Sequence, residues 1–160
     1  MALETGSLYI VLTLRSDRPD DDTFHWALYF HKPTASHPGG LKYHITNLNS
    51  DRWLVAHAPE SAVQKTFLLV CLVRIAEGIP AERWAEVDWL VRAKDGKLDE
   101  EGLTCRVWLS QAIERLRKAG LVRYPSVGEL EERIAVLGNS HRVSAIYNKQ
   151  PRPIEHVVFN

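Results

Sequence analysis

Two periodicities divide the chain. Up to about residue 76 the apolar positions fall in short alternating or continuous runs rich in β-branched and aromatic residues, such as Leu8-Tyr9-Ile10-Val11-Leu12-Thr13-Leu14 and Phe24-His25-Trp26-Ala27-Leu28-Tyr29-Phe30. Such runs predict strands over 8–14, 24–31, 41–48, 52–57 and 67–76, broken by turn-forming clusters at 16–22 and 33–40. Beyond residue 76 the period becomes helical. Pro80 opens a helix that reaches about Arg92, in a first turn where its missing N–H costs least. A loop over 94–102 follows. The next helix runs from Cys105 to Ala119, with Thr104 as N-cap, Arg115, Arg117 and Lys118 in its last turn and Gly120 beyond. A third helix starts at Ser126 and ends near Gly138-Asn139, and 154–159 adds a last strand. Strands first and helices after them predict an α+β fold, a mainly antiparallel sheet with helices packed on one face.

The 160 residues form a single domain, 1–160, since no composition shift, repeat or low-complexity tract divides them. Twenty Lys and Arg cancel twenty Asp and Glu, which removes the general electrostatic attraction to nucleic acid or to a membrane surface. The longest wholly apolar stretch, 67–73, falls far short of the ~18 residues of a membrane helix. The apolar opening segment follows Glu4 and precedes Arg15-Ser16-Asp17, so it reads as a strand and not as a secretory leader. Two cysteines are too few for a disulfide framework and point to a reducing, cytoplasmic compartment.

Seven histidines invite a search for a metal site, because His25, His31, His37 and His44 recur at intervals of six or seven. At ~3.3 Å per residue, however, His25 and His31 lie about 20 Å apart on one strand face, too far to share an ion. No metal or cofactor is expected, since phosphate-binding and dinucleotide motifs are also missing. Asp20-Asp21-Asp22 reads as a solvated loop. Cys71, inside the apolar run, reads as a small core hydrophobe whose burial raises its pKa. Cys105 begins a helix, where free N–H groups and the positive end of the dipole favour a nucleophile, although it also starts the apolar stripe of Leu109, Ala112 and Leu116.

A nucleophilic thiol needs a base and a group to orient the base. His25 is the best base if the Cys105 helix packs on the strand face that His25 shares with Ala27 and Tyr29. The neighbouring strand, Leu41-Lys42-Tyr43-His44-Ile45-Thr46-Asn47, offers His44 or Asn47 as the orienting group, the choice depending on register.

The run Phe24-His25-Trp26-Ala27-Leu28-Tyr29 resembles the His-Trp-Ala-hydrophobic-Tyr strand of the circularly permuted papain-like thiol enzymes, the group that contains lecithin:retinol acyltransferase and NlpC-type relatives. That resemblance implies a permuted papain-like order in which the histidine strand comes first, a second histidine follows on the next strand, and the cysteine comes late at a helix start. His25, His44 and Cys105 stand in that order. The Cys105 segment is similar in placement, without the Asn-Cys-Glu-His-Phe sequence of the lipid enzymes. The longer hairpin loop keeps Asn47 and His57 open as alternatives to His44, and Ala56-His57-Ala58-Pro59 is similar to the segment after the family's second histidine.

The expected function is therefore a cysteine-dependent hydrolase or acyltransferase for an amide, ester or thioester of a small molecule or peptide. Cys105 would attack the carbonyl while His25 takes and returns the proton and His44 orients it. Two alternatives use other chemistry. One is a non-catalytic small-molecule or protein binding domain whose Trp and Tyr residues line a cleft or a partner surface; the other is a cyclase or isomerase using His25 as acid and base with no covalent step.

Overall fold

The computed structural model describes residues 2–16 and 23–157. The Asp20-Asp21-Asp22 run and the end of the expected last strand lie outside the described residues. Among them, eight strands and three α-helices follow one another as β1 (Ser7–Leu14), β2 (Phe24–His31), β3 (Gly40–Tyr43), β4 (Ile45–Thr46), β5 (Leu54–Val55), β6 (Ala58–Glu60), β7 (Leu69–Ala76), α1 (Trp84–Val91), α2 (Cys105–Lys118), α3 (Val127–Ile146) and β8 (Ile154–His156).

Six strands form one sheet in the order β6-β3-β2-β1-β7-β8, and β4 pairs with β5 in a separate ribbon. Every pairing is antiparallel except that of β7 with β8. The fold is thus α+β with a mostly antiparallel sheet. β1 is central, which its unbroken apolar run requires, because a central strand is covered on both faces.

Strand alternation sorts β1 and β2 onto two faces. Leu8, Ile10, Leu12 and Leu14, with Phe24, Trp26, Leu28 and Phe30, pack against Val87 and Val91 of α1, Trp108, Leu109 and Ile113 of α2, and Leu130 and Ile134 of α3. Each such side chain withdrawn from water contributes about 1.5–3 kcal/mol. Tyr9, Val11, Ala27, Tyr29 and Leu72 form a smaller cluster on the other face with Val63. All three helices contribute to the first cluster and none to the second.

The helix ends show what the local sequence does. Thr104 occupies the N-cap of α2 in extended conformation, but its hydroxyl makes no capping bond. At the other end Gly120 has φ +77°, Gly120 N–H donates to Arg117 O and Leu121 N–H to Leu116 O, which closes a Schellman motif. Arg115, expected to serve its own helix end, instead donates to the carbonyls of Leu90 and Val91 at 2.7 and 3.2 Å and so caps α1. Ser126 caps α3 by accepting from Glu129 N–H at 3.2 Å.

Several boundaries differ from expectation for identifiable reasons. The 41–48 strand is interrupted at His44, whose neighbours on the C-terminal side leave the main sheet to pair with β5. The 52–57 strand shortens to β5, and β6 extends beyond it to pair with β3. A 3₁₀ segment over Arg92–Lys97 occupies the start of the expected loop. The third helix continues past Gly138, because that glycine is a packing site and not a stop: a Cβ there would lie 2.9 Å from Leu12 Cδ1 and Phe24 Cε2. No helix among the described residues is long and apolar enough to cross a membrane.

Candidate functional site

His25 lies opposite Thr13 in the β1–β2 ladder and, by alternation, on the face that carries Ala27 and Tyr29. Tyr43 and Ile45 both belong to the helix-covered cluster, so His44 between them points to the face of His25. The two imidazoles meet edge to face, with ring centroids 5.6 Å apart and planes at 73°. Lys42, across from Tyr29 in the β2–β3 ladder, shares this face.

The electrostatics follow from that arrangement. Burial first, then the charges of Arg15 and Lys42, push the His25 imidazole down to about 4. Burial, followed by Lys42 and then His25, pushes His44 down to about 4 as well. Lys42 is itself held below the usual lysine range by burial, partly offset by the negative charge of Glu60. Two uncharged imidazoles beside a cation therefore stand half-buried on this face. Nδ1 of His44 is buried and makes no hydrogen bond.

Cys105 occupies the other face. It begins α2, is 1% exposed, and packs in the helix-covered cluster with Trp26 and Trp108. The condition on which the thiol–imidazole pair depended, packing of α2 on the His25 face, is not met: α2 packs on the Trp26 face. Among the described residues Cys105 makes no hydrogen bond to His25 or His44. Its sulfur instead accepts from Arg15 Nη2 at 3.6 Å, and Arg15 Nε donates to the Phe24 carbonyl at 3.3 Å. Cys71, as expected, is a buried β7 residue, its thiol pushed up to about 12 chiefly by burial.

The two alternatives to His44 have other places. Asn47 is exposed after β4, and its carbonyl accepts from Ser50 N–H at 3.2 Å. His57 lies on the helix side between Tyr43 and Trp108, its ring centroids 5.3 and 5.4 Å from theirs. Its Nδ1 accepts the backbone N–H of His44 at 3.0 Å, and its Nε2 lies 2.9 Å from Asp95 Oδ2. His57 thus positions the His44 backbone and does not touch the His25 ring. The Tyr and Trp residues do not line a common cleft: Trp108, Tyr9, Tyr29 and Tyr43 are fully buried, whereas Trp89 and Tyr147 stand exposed.

Sequence reading overlooked Lys42, Arg15 and Asp95. Lys42 was detectable, since it precedes His44 by two on one strand and therefore shares its face. Arg15 required the β1–β2 register, which sets it beyond Leu14 and near Phe24. Asp95 had no local signal, because only the tertiary fold brings the 3₁₀ segment that carries it to His57. No group of three or more His, Cys, Asp or Glu among the described residues is placed to hold a metal ion.

No curated protein and no solved structure matches the chain. Residues 6–133 match the model of DUF6914, a family of unknown function, and the chain belongs to that family.

Proposed function

We propose that the chain acts on a small anionic molecule at the His25–His44 pair, moving a proton through an imidazole with no covalent thiol step. The observation that carries this reading is the edge contact of the two rings on one face, beside Lys42 and with a buried, unpartnered Nδ1 on His44. An uncharged His25 takes a proton from a carbon or oxygen of the substrate. The electron pair left behind is stabilised by the positive charge of Lys42. The imidazolium returns the proton at another position, so the net change is an isomerisation or ring closure without oxidation or reduction. A bound anion raises both imidazoles from their low values and brings them toward the range useful at neutral pH.

A second reading keeps the thiol. Arg15 joins Cys105 Sγ to the Phe24 carbonyl, one residue from His25; a hydrolase or acyltransferase built on Cys105 and His25 requires α2 to leave the Trp26 face so that thiol and imidazole meet around the end of the sheet. One experiment separates the two. Proton NMR in deuterated water follows exchange in a panel of 2-oxo and 3-oxo carboxylic acids, and nitrophenyl esters serve as acyl probes. Catalysed exchange that His25→Gln abolishes and Cys105→Ser preserves is the expected result. Absence of exchange from the whole panel, or ester turnover lost in Cys105→Ser, overturns it.

A further inference from the structure

At the opposite end of β1 from His25, a cavity of about 590 Å³ opens between the C-terminal end of β7, the turn that leads into α1, the α2–α3 connection and the end of β8. Its size falls within the range of small-molecule sites, roughly 300–1,000 Å³. Three guanidinium groups line it, from Arg74, Arg83 and Arg123, together with His156, and among the described residues Glu77 is the one carboxylate in the lining. Ile79, Leu121 and Val157 supply apolar wall.

The three arginines differ in what they already hold. Arg74 pairs with Glu4 at 2.9 Å and with Glu77 at 3.5 Å. Arg83 forks onto Glu86 and donates to the Ala119 carbonyl, which fixes its plane. Arg123 is exposed and makes no ion pair or hydrogen bond among the described residues. A planar guanidinium without a partner, at the mouth of a partly apolar cavity flanked by two held guanidiniums, matches an oxyanion with a short hydrocarbon body.

We infer that this cavity binds a small amphiphilic anion, with Arg123 meeting its carboxylate or phosphate head and Ile79, Leu121 and Val157 meeting its body. The site is separate from the imidazole pair: Arg74 faces Tyr9 and His25 faces Thr13 in the ladders, on the order of 13 Å apart along β1.

The test is a titration of the full chain with hexanoate, hexyl phosphate and hexan-1-ol, followed through the backbone amide signals of Gly78 and Gly120, which line the cavity. Saturable shifts with one or both anions are expected, none with the alcohol, and affinity about tenfold weaker in Arg123→Gln. The anion that binds identifies the head group. His25→Ala is expected to leave binding unchanged, so failure of the proposal for the imidazole pair does not carry over. Shifts that the alcohol reproduces, shifts elsewhere in the chain, absence of binding by both anions, or equal affinity in Arg123→Gln overturn the inference.

Discussion

The backbone N–H of His44 donates to Nδ1 of His57 at 3.0 Å, and Nε2 of His57 lies 2.9 Å from Asp95 Oδ2. As an acceptor, Nδ1 carries no proton, which leaves the ring proton on Nε2 to be donated to the carboxylate. Both nitrogens of a side chain that is 1% exposed are thereby used. His57→Ala strips a partner from the His44 N–H and from Asp95 together. The expected loss is about 2–4 kcal/mol, read as a lower midpoint in urea, with Asp95→Asn losing less. An unchanged midpoint in His57→Ala would show that this relay does not hold the β3–β5 region.

Stability depends on pH through the imidazole pair. His25 and His44 titrate at about 4 when folded, against an ordinary 6.5. Between those values the unfolded chain binds protons that the folded chain refuses, so acid favours unfolding. The contribution is complete above about pH 6.5 and is lost as pH falls toward 4, on the order of 1–2 kcal/mol for each ring after allowance for partial exposure. Thermal midpoints measured from pH 7.5 to 4 are expected to fall, and to fall less steeply in the His25→Asn, His44→Asn double variant. Parallel curves for the two proteins would contradict the neutral pair.

Arg152 is a buried guanidinium with no ion pair to a carboxylate among the described residues, bonded to the carbonyls of Leu69, Val70, His141 and Lys149 and to the Ser144 hydroxyl. It ties β7 to α3 and to the turn that precedes β8. Arg152→Ala takes a donor from each of these acceptors and is expected to destabilise by about 3 kcal/mol or more. Arg152→Lys rescues only part of this, because an ammonium cannot reproduce the planar fork. Equal stability of the arginine and lysine proteins by calorimetry would remove that role.

The burial of Cys105 sets its reactivity. Its sulfur packs at 1% exposure with Arg15 against it, so the native protein is expected to alkylate at Cys105 only as fast as α2 opens, orders of magnitude below an accessible thiol. Peptide mass after timed iodoacetamide treatment measures Cys71 and Cys105 separately. Rapid modification of Cys105, slowed in His25→Ala, would support the thiol reading over the imidazole reading.

Much of the architecture was legible because it is periodic. The alternation of β1 and β2, the apolar run of β7 and the caps of α2 and α3 are local signals, and the elements they predict begin within a few residues of the expected positions. Gly138 shows where local signals mislead: a glycine after an apolar stripe reads as a helix stop, yet here it admits the side chains of Leu12 and Phe24. The break at His44 was equally hidden, since the group that takes its backbone N–H in place of a strand partner is His57, thirteen residues away.

For the candidate site, the sequence by itself determined that Cys105 begins a helix and that the strand after His25 offers His44 or Asn47, because strand period and helix capping act over a few residues, whereas the register that sets His44 on the His25 face came from the fold. Which face that helix covers was a question only the tertiary structure decided. The helices bury their apolar stripes on the side carrying Phe24, Trp26, Leu28 and Phe30, the larger apolar surface, and so leave the imidazoles on the opposite side from the thiol. Face selection sums burial over the whole sheet, and no short motif contains that sum.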